Sequence, residues 1–297
     1  MSKLTSLVKR NVKLFFKDKG MFFSSLITPL ILLVLYATFL AKVYRDSFAS
    51  AIPKGVAVDQ SLIDACAGNQ LFASLLAVCC VTVAFCANLI MIQDKVTGAK
   101  KDLTIAPVKH GVLAMSYYFA TAINTIIIAL VTTGVCFIYL ANVGWYFTAT
   151  DILMILLDVF ILVLFGTALS SLICYPLSTE GQMSAVGTIV SAGYGFICGA
   201  YMPISQFGGG IQKVMSFSPG TYGTSLIRNH SMRGVFEEME NQHLPDEVIE
   251  GIKDAFDCNL YFSGEQVGMS TMYAIMAGTI AILIIAYVLI NVLRKSR

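Results

Sequence analysis

The sequence predicts an all-α integral membrane protein with six transmembrane helices. Hydrophobic residues make up 57% of the 297 residues and charged residues only 13%, whereas a soluble domain carries about 25% charged residues. Apolar runs of about 20 residues, the length with which a helix crosses a bilayer, recur along the chain. We place the six spans at about residues 21–41, 69–92, 112–140, 151–174, 183–202 and 268–292.

The segment before the first span predicts an amphipathic helix over residues 3–18. On a helix, its leucines, valines and phenylalanines fall on one side and its lysines and arginine on the other. A helix that lies in the inner membrane interface has this composition. The simpler alternative is that the lysines only orient the first span, but the clean separation of the two faces favours the interfacial helix. The run at 21–41 is too long for a removable signal peptide and lacks its cleavage site, so we interpret it as a retained span.

The distribution of basic residues predicts the orientation of the chain. With the N-terminus inside, thirteen lysines and arginines fall in inner segments and seven in outer ones, and cytoplasmic loops carry the excess of such residues. We therefore expect both termini in the cytoplasm. The chain is expected in the cell membrane, taken to be a bacterial plasma membrane. Residues 94–109 are then cytoplasmic, and residues 203–267 are extracellular.

The extracellular segment at 203–267 is expected to be a small, acidic, helical or re-entrant cap and not a separate enzyme domain. Pro203 is expected to end the fifth span, because proline cannot continue the backbone hydrogen-bond ladder. The stretch "PDEVIEGIKDAF" at 245–256 predicts a short helix with acidic residues in its first turn. The apolar residues that share one face of this helix are Val248, Ile249, Ile252 and Phe256.

Polar residues inside the predicted spans are candidates for the transport path, because they are costly in lipid. Asp158 is the one ionisable residue well inside a predicted span. Three alternatives stay open for it: it faces a water-filled path or a partner such as Asn124, it extends toward the outer surface, or it is neutral and bonded to a neighbouring helix. Asn88 is a candidate for the path or, with Asn124, for hydrogen bonding between helices.

The fifth span carries a small residue at every fourth position, Gly187, Ser191, Gly195 and Gly199. Such a stripe lets another helix approach closely in lipid. Close packing within one subunit is the leading interpretation, and a subunit interface or a smooth wall of the transport path is the alternative.

Two of the eight cysteines, Cys66 and Cys258, lie in polar segments and form a candidate disulfide pair. The other six fall in apolar runs, where cysteine behaves as a small hydrophobe. The adjacent cysteines at 79 and 80 have no histidine or acidic partner nearby, and the three histidines lie in separate segments. We therefore predict neither a metal site nor a histidine-based catalytic site.

The sequence lacks the phosphate-binding loop G-x-x-x-x-G-K-[ST], so the chain is not expected to bind ATP in that way. No catalytic constellation indicates an enzyme. The basic residues adjoin apolar segments, which argues against nucleic acid as a partner. A secondary transporter or channel that works without ATP is the alternative class, but such carriers usually show several ionisable residues inside the membrane, and this sequence shows one.

The layout of the chain and two stretches of sequence resemble the ABC-2 type permease family, the membrane subunits of ATP-driven exporters. In "DKVTGAKKDLTIAPVK" at 94–109, the family's acidic–basic pair, glycine, leucine and proline–x–basic pattern is matched by Asp94, Lys95, Gly98, Leu103, Pro107 and Lys109. Lys100 and Lys101 stand where the family often has an acidic residue. The second family pattern is matched by Gly199, Pro203, Ile211, Gln212, Pro219, Tyr222 and Arg228.

The resemblance implies one ABC-2 type transmembrane domain over residues 1–297. Two permease subunits, identical or different, would enclose a path through the lipid, and cytoplasmic ABC ATPase subunits would bind beneath with ATP and Mg²⁺, so this chain needs no cofactor of its own. Residues 94–109 would form a coupling helix that docks on the ATPase. The cargo would be amphipathic or hydrophobic, such as a drug-like molecule, a peptide or a lipid-linked compound, with a glycan or an ion as the alternative within the family.

Overall fold

The computed structural model describes residues 2–52, 58–105 and 108–293, which are almost entirely helical. The elements in chain order are α1 (Lys3–Lys17), α2 (Lys19–Leu35), a π-helical segment (Tyr36–Leu40), α3 (Ala41–Ala51), α4 (Gln60–Val96), α5 (Ala99–Ile105), α6 (His110–Val143), α7 (Ala149–Cys174), α8 (Glu180–Ile197), a 3₁₀ turn (Ile204–Gln206), α9 (Gly209–Ser216), α10 (Pro219–Asn241), α11 (Asp246–Ala255), β1 (Tyr261–Phe262), β2 (Glu265–Gln266) and α12 (Met269–Leu293).

Four of the described helices, α4, α6, α7 and α12, are long and apolar enough to cross a membrane. They overlap the second, third, fourth and sixth predicted spans almost completely. The pair α1 and α2 is bent by 74° and adds a fifth candidate if it forms one span. The chain is therefore an all-α, multi-pass membrane protein with four or five candidate spans in its described part, and the prediction of six spans is confirmed only to that extent.

The first and fifth predicted spans differ most from the structure. The run at 21–41 begins in α2 and passes through the π-helical segment into α3, so no single α-helix covers it. The run at 183–202 is covered by α8 only as far as Ile197. The expectation that Pro203 ends this helix is wrong. The helix ends earlier, because Gly199 adopts a left-handed conformation with a φ of 72°.

Helix α4 forms the centre of the molecule. Most of its 37 residues are buried, and it packs against α2, α3, α6, α7, α8 and α10. A helix that is apolar all round needs this kind of burial. The helices around it keep large apolar side chains exposed, including Val131 and Ile138 of α6 and Ile282 of α12, as helices in contact with lipid do.

Asp18 separates the basic helix α1 from the apolar helix α2. Its backbone N–H donates to the carbonyl of Leu14, and its carboxylate accepts a hydrogen bond of 3.1 Å from the N–H of Met21. A short acidic side chain is well suited to cap a helix N-terminus in this way. One residue thus ends the first helix and begins the second.

The 203–267 segment contains a long helix, α10, that the sequence analysis did not predict. More than half of its 23 residues are buried, and it packs against α4, α7 and α12. Thr221, Thr224 and Ser225 are among its buried residues, so hydropathy did not reveal the buried face. The hydroxyl of Thr224 donates to the carbonyl of Gly220, which satisfies it within the helix.

The predicted helix at 245–256 is present as α11, and its four apolar residues at 248, 249, 252 and 256 are all buried. They pack with Phe48 of α3 and with Cys66 of α4 in an apolar cluster, which we call the Phe48 cluster. The rings of Phe48 and Phe256 stack with 3.7 Å between their centres. The 203–267 segment is thereby fixed to the ends of α3 and α4.

Candidate functional site

Residues 94–109 connect α4 to α6 through the short helix α5. Gly98 turns the chain after α4 with a φ of 82°, a conformation that glycine adopts without strain. Lys109 is exposed and immediately precedes α6. Pro107, which the sequence analysis assigned to this segment, lies outside the described residues. The chain therefore turns at Gly98 from α4 into the short surface helix α5.

The faces of α5 differ in their surroundings. Lys101, Asp102 and Ile105 are exposed, whereas Leu103 packs against the main apolar core. The ammonium group of Lys100 lies 5.9 Å from the centre of the Tyr175 ring. One apolar side chain therefore holds α5 on the body of the chain while its polar face stays accessible.

Asp94, at the end of α4, is a buried anchor. Its carboxylate accepts hydrogen bonds of 2.7 and 2.8 Å from the guanidinium group of Arg10 in α1, and a third of 2.7 Å from the hydroxyl of Tyr117 in α6. A bidentate arginine–carboxylate pair is both strong and geometrically specific. Asp94 therefore joins three helices immediately before the turn to α5.

Lys95 is a second anchor beside the first. Its ammonium group donates to the backbone carbonyls of Tyr175 and Leu177, the latter at 2.6 Å. Both carbonyls belong to the link between α7 and α8. Asp94 and Lys95 thus bind within the chain, and the exposed part of the predicted coupling segment is α5 itself.

A large apolar groove lies between α2, α4 and α8, with a volume of about 910 Å³. Its walls include Ile31 of α2 and Cys86 of α4, and Gly187 and Ser191 contribute the wall from α8. A methyl group added to Gly187 would meet no atom of the described residues within 4 Å. Two of the four residues of the small-residue stripe therefore face open space.

The other two residues of the stripe shape the turn that ends α8. The carbonyl of Gly195 accepts hydrogen bonds from the N–H groups of Ala200 and Tyr201, at 2.8 and 3.0 Å. The ring of Tyr201 lies 2.4 Å from the position that a Cβ at Gly195 would occupy. Gly195 has no room for a side chain, and Gly199 has a left-handed backbone, so this turn requires glycine at both positions. Two residues of the stripe therefore line the groove, and the other two form the turn that ends α8.

Asp158 of α7 is bound by two other helices. Its side chain is fully buried, with Oδ2 lying 2.6 Å from Nδ1 of His230 in α10 and Oδ1 accepting a hydrogen bond of 2.5 Å from the hydroxyl of Tyr273 in α12. Asn124, the example of a partner that the sequence analysis gave, is not bonded to Asp158. The amide of Asn124 is buried and has no hydrogen-bond partner among the described residues. Of the three alternatives, the structure supports a bond to neighbouring helices.

Asn88 of α4 lies in a helix interface and not in the groove. Its amide donates to the hydroxyls of Ser170 and Ser171 of α7, at 3.3 and 3.2 Å. Hydrogen bonds of this kind between membrane helices contribute modestly, about 0.6 kcal/mol on average. These contacts support the role of Asn88 in hydrogen bonding between helices.

Arg228 of α10 has a role that the sequence analysis missed. Its guanidinium group, 1% exposed, pairs with Asp257 at 3.2 Å and donates to the carbonyl of Gly199 at 2.9 Å. Asp257 also accepts a hydrogen bond of 2.8 Å from the N–H of Ile204. Burial raises the pKa of the Asp257 carboxyl above its usual value, against the opposing effect of Arg228. This network joins α10 to the turn after α8. In the sequence, only the match of Arg228 to the second family pattern pointed to this residue.

Cys66 and Cys258 both lie in the Phe48 cluster, where both are buried free thiols. The sulfur of Cys258 is 3.6 Å from the sulfur of Met232, and burial raises the pKa of the Cys258 thiol to about 12. The two cysteines thus share one cluster, and their pairing stays a prediction.

A comparison of the sequence with known protein families covers the region that contains α5, the anchors Asp94 and Lys95, and the groove. The sequence model of the ABC-2 type transporter family matches residues 2–230. The chain belongs to the ABC-2 type transporter family. The match runs from α1 into α10 and includes Asp94, Lys95 and Arg228. A comparison with curated proteins found no match.

Membership in the ABC-2 family makes the chain a transporter membrane component and not a catalytic domain. Members of this family typically work with ABC ATPase partners. In this ABC-2 permease, no group of three or more histidine, cysteine or acidic side chains that could hold a metal ion occurs among the described residues.

Proposed function

We propose that this ABC-2 permease forms the transmembrane path of an ATP-driven exporter whose ATP and Mg²⁺ are bound by separate cytoplasmic ATPase subunits. The observation that carries the proposal is α5, a short helix with an exposed polar face between two long apolar helices. A helix this polar cannot enter lipid. An ATPase groove would receive Lys101, Asp102 and Ile105.

The anchors around α5 provide a route for the coupling. A displacement of α5 would be transmitted through Asp94 to α1 and α6, and through Lys95 to the link between α7 and α8. Leu103 ties α5 to the core in the same region. ATPase closure would thus bias the spans between two arrangements, as rigid packed elements require.

The proposed topology has six spans, formed by α2 with the π-helical segment and α3, by α4, by α6, by α7, by α8 and by α12. α1 would lie in the inner interface, because its basic and apolar residues occupy opposite faces and it is bent by 74° from α2. Both termini and α5 would be cytoplasmic, and the 203–267 segment would form a re-entrant extracellular cap on a bacterial plasma membrane.

We propose that the groove between α2, α4 and α8 forms one half of the transport path. A second permease subunit, identical or different, would complete the path. Its volume of about 910 Å³ lies in the range of pockets that hold drug-sized molecules, about 300–1,000 Å³. The lining is mainly aliphatic and aromatic with a few serine and threonine hydroxyls. This favours an amphipathic or hydrophobic cargo over a glycan or an ion.

Coupling is tested by charge reversal on α5. We expect Lys101→Glu to weaken association with the co-expressed ABC ATPase and to lower stimulated ATP hydrolysis by about fivefold or more, because charge complementarity governs such docking. The matched control is Lys213→Glu, at another exposed lysine on α9, which should change neither. The purified permease alone should hydrolyse no ATP.

Two results would count against the proposal. Normal assembly and turnover in the Lys101→Glu variant would remove α5 from the docking surface. Cargo export by the chain alone, driven by an ion gradient and independent of ATP, would instead favour a secondary transporter.

The topology is tested by thiol labelling in intact cells. Seven of the eight native cysteines are buried and Cys86 is half-buried, so an introduced surface cysteine should dominate the signal. We expect an impermeant maleimide to label Lys213→Cys from outside and Lys101→Cys only after permeabilisation. Labelling of both from the same side would contradict the topology.

A further inference from the structure

A second cavity, smaller and more polar than the groove, lies beneath α5. Its volume is about 270 Å³, slightly below the range of pockets that bury drug-sized molecules. Side chains from α4, α5, α6 and α12 and from the link after α7 enclose it. The polar residues that matter for its chemistry are Lys100, Thr104, His110, Tyr175, Tyr287 and Asn291.

The charge of this cavity favours an anion. Lys100 and His110 line it, and no carboxylate does among the described residues. Tyr117 also lines the cavity, and the acid that its hydroxyl contacts, Asp94, has both carboxylate oxygens bound by Arg10. A lysine and a histidine ring N–H can both donate to phosphate oxygens.

The start of α6 adds to the positive character of the cavity. His110 is the first residue of this 34-residue helix, and the preceding Lys109 makes no side-chain capping bond. The N–H groups of a first helical turn and the helix dipole favour negative charge. The helix end therefore reinforces the two basic side chains, which are the primary observation.

The helix that contributes Asn291 to the cavity also carries exposed apolar side chains. Those next to Asn291 along the sequence of α12 are Leu289, Ile290, Val292 and Leu293. A free anion would gain nothing from these side chains, whereas acyl chains could lie along them. A basic pocket between membrane helices is a recognised mode of lipid headgroup binding.

We propose that this cavity binds the phosphate group of an anionic phospholipid, with Lys100 and His110 contacting the phosphate and the acyl chains lying along the end of α12. The site is separate from the proposed transport path. Because Lys100 belongs to α5, lipid bound here would stabilise the position of this helix.

The test measures lipid binding to the purified full chain by native mass spectrometry, using phosphatidylglycerol, phosphatidylcholine and inorganic phosphate. We expect the chain to prefer phosphatidylglycerol, and Lys100→Gln and His110→Gln each to weaken that binding by about fivefold, the usual effect of one basic residue at an anionic membrane surface. Lys100→Arg should retain binding. The matched control is Lys101→Gln, one residue along α5 and outside the cavity, which should weaken binding less than twofold.

Three outcomes would overturn the proposal. Equal weakening by Lys100→Gln and Lys101→Gln would mean diffuse surface attraction. Equal affinity for the two lipids would remove the anionic specificity. Competition by inorganic phosphate at the concentrations that suffice for phosphatidylglycerol would make the ligand a free anion. Thermal unfolding of each variant, followed with a thiol-reactive dye, separates loss of the site from loss of the fold.

Discussion

The buried pair of Arg228 and Asp257 should be among the most sensitive points of the fold. We compare Asp257→Asn, Arg228→Met and the double variant. In Asp257→Asn the guanidinium group, which is 1% exposed, keeps its charge because arginine does not lose its proton in proteins. The variant therefore leaves an uncompensated charge where α10 meets the turn after α8.

The expected magnitude follows from this burial. Removing one partner of a buried ion pair costs about 3–5 kcal/mol of folding free energy. At about 2–4 °C for each kcal/mol in a chain of this size, the melting temperature of Asp257→Asn should fall by roughly 10 °C. The double variant carries no stranded charge, so it should be more stable than Asp257→Asn.

The stability of Arg228→Met should depend on pH, because this variant leaves the Asp257 carboxyl without its partner. The carboxyl of Asp257 can bind a proton, and burial already raises its pKa in the native protein. Loss of Arg228 removes an effect that lowers this pKa. Because the folded state then binds a proton more tightly than the unfolded state, stability is retained at low pH and is lost as the pH rises through the folded-state pKa. The variant should be closer to wild type at pH 5 than at pH 8.

The assay is thermal unfolding in detergent with a thiol-reactive dye, which reports the exposure of the buried cysteines. The control is Lys253→Gln, whose partner Glu250 is half exposed, since surface pairs contribute about 0–1 kcal/mol. A melting temperature of Asp257→Asn within 2 °C of wild type, or a double variant that loses the sum of both single effects, would refute the reasoning.

Three further predictions concern a close helix contact, a buried carboxylate and a cysteine pair. Gly166→Ala should destabilise the chain by about 1–3 kcal/mol, because a Cβ there would lie 2.9 Å from the backbone of α4, whereas Gly134→Ala, in open space, should be tolerated; equal melting temperatures would contradict this. Asp158→Asn should lower stability by about 1–3 kcal/mol, and full stability with full transport of every cargo would remove both a structural and a transport role for the charge. Mild oxidation of membranes should join Cys66 to Cys258 in a disulfide, and peptide mass spectrometry that finds only free thiols would end that prediction.

The helices that hydropathy predicted are those that contain a continuous apolar run long enough to cross a membrane. α4, α6, α7 and α12 satisfy this condition, and the face of α11 follows from its spacing of apolar residues. α10 does not satisfy it, because threonine, serine and arginine side chains occupy its buried surface. Ser225 and Arg228 are bound by Asp257 and Gly199, which lie elsewhere in the chain, and composition contains no record of such partners.

The candidate site shows the same limit. The sequence placed Asp94, Lys95 and α5 in one segment but could not distinguish anchors from an exposed surface. That distinction depends on Arg10, 84 residues away from Asp94, and on carbonyls that lie at least 80 residues from Lys95. Asp158 is similar, since its partners lie 72 and 115 residues away. Contacts over such separations are set by helix packing.

The central claim, that α5 docks on an ABC ATPase, is tested most directly by photo-crosslinking. A photoreactive residue at Ile105, which is 84% exposed at the end of α5, is compared with one at Ile282, which is 68% exposed on α12. In cells that express the chain with its ATPase, we predict an adduct with the ATPase from position 105 that changes in yield with ATP, and none from position 282. Absence of an ATPase adduct at position 105, in a complex that still assembles and transports, would contradict the claim.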